Sequence, residues 1–218
     1  MWSGFKCKVG RAPIQPLPRR RRAEHPMGMP AIRTYPKRWT AYEVRALMEA
    51  SPSHWPRYEA IDGELIVTPA PRLAHQEMLE LLRDVIKPYV TRHRLGRVFG
   101  APADLELEKD SIVQPDLFVV PAAISRPREW SDVTTLLLAI EVLSPSTRRY
   151  DRETKRRYFH RVRVPEYWTV DLDRRVFERW HPGRVTPQVL DRTLVWHPPA
   201  ADEALEIDLV GLFAALDA

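Results

Sequence analysis

The run LLLAIEVL, residues 136–143, followed directly by Ser-Pro, constrains this chain more than any other stretch. A short, continuously apolar segment ending at a turn signal reads as a strand covered on both faces. Such a strand belongs inside a layered fold of helices and sheet. The run nevertheless carries one carboxylate, Glu141. An ionised carboxylate isolated in apolar surroundings is costly enough to take up a proton, unless something compensates it.

The remaining elements can be read around this strand. TAYEVRALMEA opens on a Thr N-cap candidate and sets Val44, Leu47 and Met48 at helical spacing, which predicts a short helix over 40–50. YEAIDGELIVTP reads as two short strands turning at Asp62-Gly63, a strong hairpin signal. LAHQEMLELLRDVIKPYVTRH places Leu73, Leu79, Leu82, Val85 and Ile86 along one stripe, a long amphipathic helix with an interruption expected at Pro88.

GRVFGAPADLELEK alternates at its end, at Leu105 and Leu107, and is expected to be a strand there. SIVQPDLFVV gives the second core strand and LLLAIEVL the third. TRRYDRETKRRYFHRV is a helix with Tyr158, Phe159 and Val162 available to face the sheet. EYWTVDLDRRVFERW follows as two strands around a turn near Asp171 to Arg174, where Asp171 and Asp173 read as turn residues. LEIDLVGLFAAL closes the chain as a strand and short helix. The core order is helix, three strands, helix, strand, which predicts an α/β or α+β domain with a mixed sheet flanked by helices.

Charge is divided unevenly along the 218 residues. Residues 1–38 hold ten Lys/Arg against one acid, Glu24, a net of +9, so the rest carries −4 of the chain's +5. The Pro/Arg-rich start, GRAPIQPLPRRRRAEHPMGMP, lacks apolar periodicity. It predicts a disordered extension over residues 1–30, ahead of a single domain at 31–218, with Met27 or Met29 as an alternative start. Cys7 is the one cysteine, which excludes an internal disulfide and suits a reducing, cytoplasmic compartment. No apolar stretch is long enough to span a bilayer, so no membrane partner is expected.

Chemistry enters with the acids. Asp116 follows Pro115 at the start of the second core strand, and Glu141 lies inside the third. Neighbouring strands lie about 4.8 Å apart, so carboxylates at matched heights on one face can share a divalent cation. Mg²⁺ prefers such hard oxygen ligands with positions left open for water and phosphate. The ion would compensate Glu141 and assist hydrolysis at phosphorus by activating water.

QPDLFVV, AIEVLSPST, YDRETKRRY and VPEYWTVD, in that order, resemble the Uma-type restriction endonuclease family, a branch of the PD-(D/E)XK nuclease superfamily. YEAIDGEL and the LAHQ helix start extend the resemblance over most of residues 40–180. It implies a restriction-endonuclease-like core in αβββαβ order, with an N-terminal helix and hairpin. It also implies Asp116 and Glu141 as the metal ligands. The superfamily pattern wants a Lys two residues after the Glu, where this chain has Leu143. The Uma-type pattern moves that Lys to the following helix, where Lys155 matches it. Asp151, Lys155, Tyr158 and Val162 share one helix face, so Lys155 is expected to point inward with the apolar pair. An ammonium there could orient water or stabilise charge on the reacting phosphoryl group.

Glu59 and His75 match recurrent positions of the resemblance. Glu59 either adds an acid to the metal site or forms a salt bridge. His75 either bonds substrate phosphate or a metal-bound water, or packs against the sheet at its helix start. Glu64 and Asp104 are candidates for supporting partners. Taken singly, Asp116 also fits a strand-end carboxylate and Lys155 a solvated charge.

The stretch 148–163 carries eight basic and two acidic residues, a net of +6, and reads either as a phosphate-contacting patch or as an ordinary solvated face. The expected function is a Mg²⁺-dependent endonuclease, with Mn²⁺ able to substitute. It would hydrolyse DNA, with RNA not separated from it, in a chain that the resemblance makes a candidate homodimer. The alternative is a non-catalytic nucleic-acid-binding or regulatory domain of the same fold.

Overall fold

A computed structural model describes residues 37–217 except 52, 54, 125 and 126. The extension expected over residues 1–30 lies outside the described residues.

Helix α1 (Ala41–Ala50) begins where the sequence places it. The Thr40 side chain accepts from the Glu43 backbone N–H while the Glu43 carboxylate accepts from the Thr40 N–H, a reciprocal capping box. The hairpin β1 (Arg57–Ile61) and β2 (Glu64–Thr68) turns on Asp62 and Gly63, at φ 54° and 80°. Two successive left-handed residues match the twist of the flanking strands, which is why Asp-Gly serves here.

Helix α2 (Leu73–Arg92) runs unbroken through Pro88, against the expected interruption. Pro88 is exposed, while Leu82, Ile86, Tyr89 and Val90 are buried on both sides of it. Packing of that apolar stripe outweighs the loss of one backbone hydrogen bond on the solvent side. Leu73 is the exception to the stripe. It starts the helix and is 74% exposed.

The main sheet has six strands in the order β3-β4-β5-β6-β7-β8. They are β3 (Gly96–Gly100), β4 (Leu117–Pro121), β5 (Leu138–Val142), β6 (Glu166–Asp171), β7 (Val176–Trp180) and β8 (Gln188–Leu190). All neighbours are antiparallel except β5 and β6, which are parallel. Their crossover is helical: α3 (Arg148–Tyr150) continues through a π-helical segment (Asp151–Lys155) into α4 (Arg156–Arg161). β9 (Thr193–Trp196) pairs with β10 (Leu205–Asp208), and α5 (Leu209–Leu216) closes the chain. The order helix, three strands, helix, strand therefore holds in a mixed sheet.

One expected strand is displaced. In the stretch 96–109 the strand is Gly96–Gly100, not the segment around Leu105 and Leu107. Leu105 makes an isolated bridge to Val113, and Pro102, which has no N–H to donate, follows the last paired residue closely. The short strands β8 and β9 carry no clear pattern in the sequence.

The sheet has a core on each face. Leu138, Ile140 and Val142 pack with α2 and α5, while Ala139 packs with Tyr158, Phe159 and Ile66. Alternation along β5 therefore turns Glu141 toward the side carrying α4 and the hairpin. Along the neighbouring strand, Leu117 and Val119 face α2, and Phe118 and Val120 face the hairpin. Asp116 shares the parity of Phe118. The β4–β5 register pairs Leu117 with Ile140, so one further step brings Asp116 opposite Glu141.

Candidate active site

Asp116 sits just before β4 and is buried. Its Oδ1 accepts from Arg57 Nη2 at 2.9 Å, and its Oδ2 accepts from the Val142 backbone N–H at 3.0 Å. His75, on the first turn of α2, brings Nε2 to 3.1 Å from the same Oδ2. Burial disfavours the charge on Asp116. Arg57, His75 and Lys155 overcome that cost and hold its carboxyl far below the usual range.

Glu141 is compensated by Lys155. The ammonium donates to Glu141 Oε1 at 2.8 Å, stands 2.9 Å from Glu59 Oε1 and lies 3.9 Å from Asp151 Oδ1. Lys155 is 3% exposed. Burial alone would push its proton off, but Glu141, Glu59 and Asp151 together raise its pKa, so it remains an ammonium. The π-helical segment carries both Asp151 and Lys155 into the interior. A widened turn of this kind re-aims side chains within a continuous helix.

The acids respond differently to their surroundings. Burial raises the Glu141 pKa well above the usual carboxylate range, and Asp116, Asp151 and Glu59 add to it against the pull of Lys155. Burial likewise raises Asp151 to about 6, opposed by Lys155 and Thr147. Glu59 Oε1 also accepts from the Gln114 backbone N–H at 2.7 Å, and the Gln114 amide donates to Asp104 at 2.8 Å. Asp104 thus fixes Gln114, which fixes Glu59. Glu64 is half-buried on the hairpin near Tyr150.

All five residues singled out from the sequence, Asp116, Glu141, Lys155, Glu59 and His75, line one cavity of about 390 Å³. Arg57 and Asp151 line it too and were not assigned to it from sequence. Arg57 had a signal: it lies two residues before Glu59, on the same face of β1. Asp151 had one as well, four residues before Lys155 on the shared helix face.

Two readings of charge change. Asp171 is a turn residue, accepting from the Arg174 N–H, but it is also fully buried and held by Arg152 at 2.8 Å. Arg152 is shared with Glu178 at 2.7 Å. Likewise, the +6 stretch is not a free basic face. Arg148, Arg149, Arg152, Lys155 and Arg161 are ion-paired within the chain. Arg157 and Arg163 are exposed and form no ion pair among the described residues.

The donors present fit a hard divalent cation. Four buried carboxylates face two cationic side chains, Arg57 and Lys155, which leaves two negative charges in excess when all four acids are ionised. No group of three or more His, Cys, Asp or Glu forms a ready coordination cluster among the described residues. Two carboxylates with open positions are enough for Mg²⁺, which keeps waters and takes ligands from phosphate.

The mixed sheet between helical layers gives the chain a nuclease-like α+β fold. A solved structure described as a putative nuclease belonging to DUF820, from Anabaena variabilis ATCC 29413, shares it. The TM-score is 0.66 at 23% identity, over 81% of this chain and 98% of that one. The model of the family described as "Uma2: Putative restriction endonuclease" matches residues 45–209, and the chain belongs to that family. No curated protein matches it. No helix among the described residues is long and apolar enough to cross a membrane.

Proposed function

We propose that this cavity hydrolyses phosphodiester bonds of DNA, with Asp116 and Glu141 as ligands of Mg²⁺ and Mn²⁺ as a working substitute. The crowding of four buried carboxyl groups around two cationic side chains, Arg57 and Lys155, carries this reading. A structural ion pair needs one acid per base, whereas Lys155 alone is surrounded by Glu141, Glu59 and Asp151. When bound, the cation would supply the missing positive charge and polarise water and phosphate.

The side chains then have separable tasks. Lys155 keeps its proton, so it serves as a donor to water or to a phosphoryl oxygen and not as a base. Arg57 and His75 fix the Asp116 carboxylate, and each can turn a donor to an entering phosphate. Asp151, titrating near 6, is the lining carboxyl whose proton affinity suits accepting a proton at neutral pH. The Uma2 family and the nuclease-like fold support a nucleic-acid substrate.

One observation favours the rival reading of a non-catalytic binding or regulatory domain. Asp116 and Glu141 already have cationic partners in Arg57 and Lys155. Incubation with supercoiled plasmid, linear duplex, single-stranded DNA and RNA, each with Mg²⁺ or chelator, separates the two. Metal-dependent cutting of DNA supports the proposal. Binding without cutting on every substrate supports the rival, and cutting confined to RNA would correct the substrate.

A further inference from the structure

The acids form the floor of the cavity, since Glu59, Asp116, Glu141 and Asp151 are each no more than 4% exposed. Three connections enclose that floor: 69–72 between β2 and α2, 143–147 after β5, and the turn at 172–173 between β6 and β7. Pro69, Ala70, Arg72, Pro145 and Asp173 are exposed and form the rim. Proline fixes φ at residues 69, 71 and 145, so this rim spreads less readily than an ordinary loop.

Space then limits what can reach the floor. The cavity measures about 390 Å³, near the lower end of the roughly 300–1,000 Å³ usual for small-molecule sites. It admits one phosphate with its sugar and base, not a base-paired stack. A nucleotide of an intact duplex reaches a recessed floor only by leaving its partner and its stacked neighbours, which is costly, whereas an unpaired strand is free of most of that cost. The wall suits such a nucleotide, because Pro71, Leu143 and Leu172 add apolar surface to the charged floor. Charge at the rim favours a strand over a lone nucleotide. Arg148 is tied to Asp173 at 2.7 Å, but Arg72 forms no ion pair among the described residues and is free to meet a second phosphate.

We infer that this site acts on unpaired nucleic acid: one nucleotide of a single strand enters the cavity with its scissile phosphate on the carboxylate floor, and Arg72 holds a flanking phosphate at the rim. Base-paired DNA is cut only where its strands have opened. Supercoiled plasmid offers such places, because negative supercoiling favours strand opening. This rests on the phosphodiesterase reading above and narrows its substrate.

One end-labelled oligonucleotide, presented to the full chain with Mg²⁺ as a single strand, as a fully paired duplex and as a duplex with a central unpaired bubble, tests the inference. The single strand and the bubble should be cut about tenfold or more faster than the paired duplex, with bubble cuts confined to the unpaired stretch. A paired duplex cut within about threefold of the single strand would overturn the inference and leave the phosphodiesterase reading standing. A dinucleotide cut as fast as the single strand would overturn it in favour of a small phosphodiester. Two rim variants add independent readouts. Ala70→Trp should slow cutting of the single strand about tenfold or more by displacing it, with Mn²⁺ affinity and melting temperature unchanged. Arg72→Gln should lower the salt slope of single-strand binding, measured with Ca²⁺ in place of Mg²⁺, by about 0.7. Wild-type cutting by Ala70→Trp, or an unchanged slope for Arg72→Gln, would overturn the path proposed for the strand. Wild-type protein that cuts none of these substrates would sink the phosphodiesterase reading itself.

Discussion

Lys155 Nζ lies 2.8 Å from Glu141 Oε1 and 2.9 Å from Glu59 Oε1, so one buried ammonium joins a carboxylate of the central sheet to one of the N-terminal hairpin. This pairing accounts for a charged residue in the most apolar strand of the chain. The two partners are not equivalent. Lys155 has three acids around it, whereas Glu141 depends on Lys155 and has its pKa raised by burial.

Removal of the two partners should therefore have unequal costs. Lys155→Met leaves Glu141 and Glu59 without their cation and should destabilise the metal-free protein by about 3–5 kcal/mol. Glu141→Gln resembles the protonated acid that burial already favours, and it leaves Lys155 with Glu59 and Asp151. Its cost should be within about 1 kcal/mol. Urea melts of both variants with chelator present check the order, and equal losses would contradict it.

Asp151 supplies a pH signature. Its folded pKa of about 6 lies above its ordinary value of 3.8, so between these values the unfolded state sheds a proton that the folded state retains. Stability from this group is full below pH 3.8 and is lost as pH rises toward 6. Asp151→Asn abolishes that loss. Relative to wild type, the variant should gain roughly 3 kcal/mol between pH 4 and 6.5 and nothing further above it. Taking the difference cancels titrating groups that do not interact with Asp151, including His160, whose lowered pKa acts in the opposite direction. A constant difference across that range would show that Asp151 does not titrate there.

Metal binding should release protons. Glu141 with its raised pKa must ionise to bind a cation, so Mn²⁺ affinity should rise with pH from 5.5 to 8. Calorimetry in buffers of different ionisation heat reads the released protons directly. Affinity independent of pH, with no buffer dependence, would remove Glu141 from the ligand set.

The parts of the site legible in the sequence are those held by local periodicity. Strand alternation places Asp116 and Glu141 on one face, and helical spacing places Lys155 with Tyr158. What stayed hidden depends on contacts between distant segments. Asp171 looks like a turn acid, yet it is buried because Arg152 reaches it from the crossover helix. The same contact, with Arg161 on Asp62 and Glu108, turns an apparent basic face into a set of internal ion pairs. Arg57 reads as one polar residue opening a hairpin until Asp116, 59 positions later, folds against it. Pro88 shows the reverse error, since a local rule for helix breaking gave way to packing on the buried side.

Conversion of supercoiled plasmid by wild type and Glu141→Gln, each with Mg²⁺ or chelator, tests the central claim most directly. Wild type should nick or linearise the plasmid with Mg²⁺ and leave it intact with chelator. Glu141→Gln should lose about a hundredfold or more in rate with Mg²⁺, the scale for removing a principal charge from a catalytic site, while melting like wild type in chelator. Cleavage that persists in chelator, or a folded Glu141→Gln protein that cuts at the wild-type rate, would contradict a metal-dependent nuclease centred on Glu141.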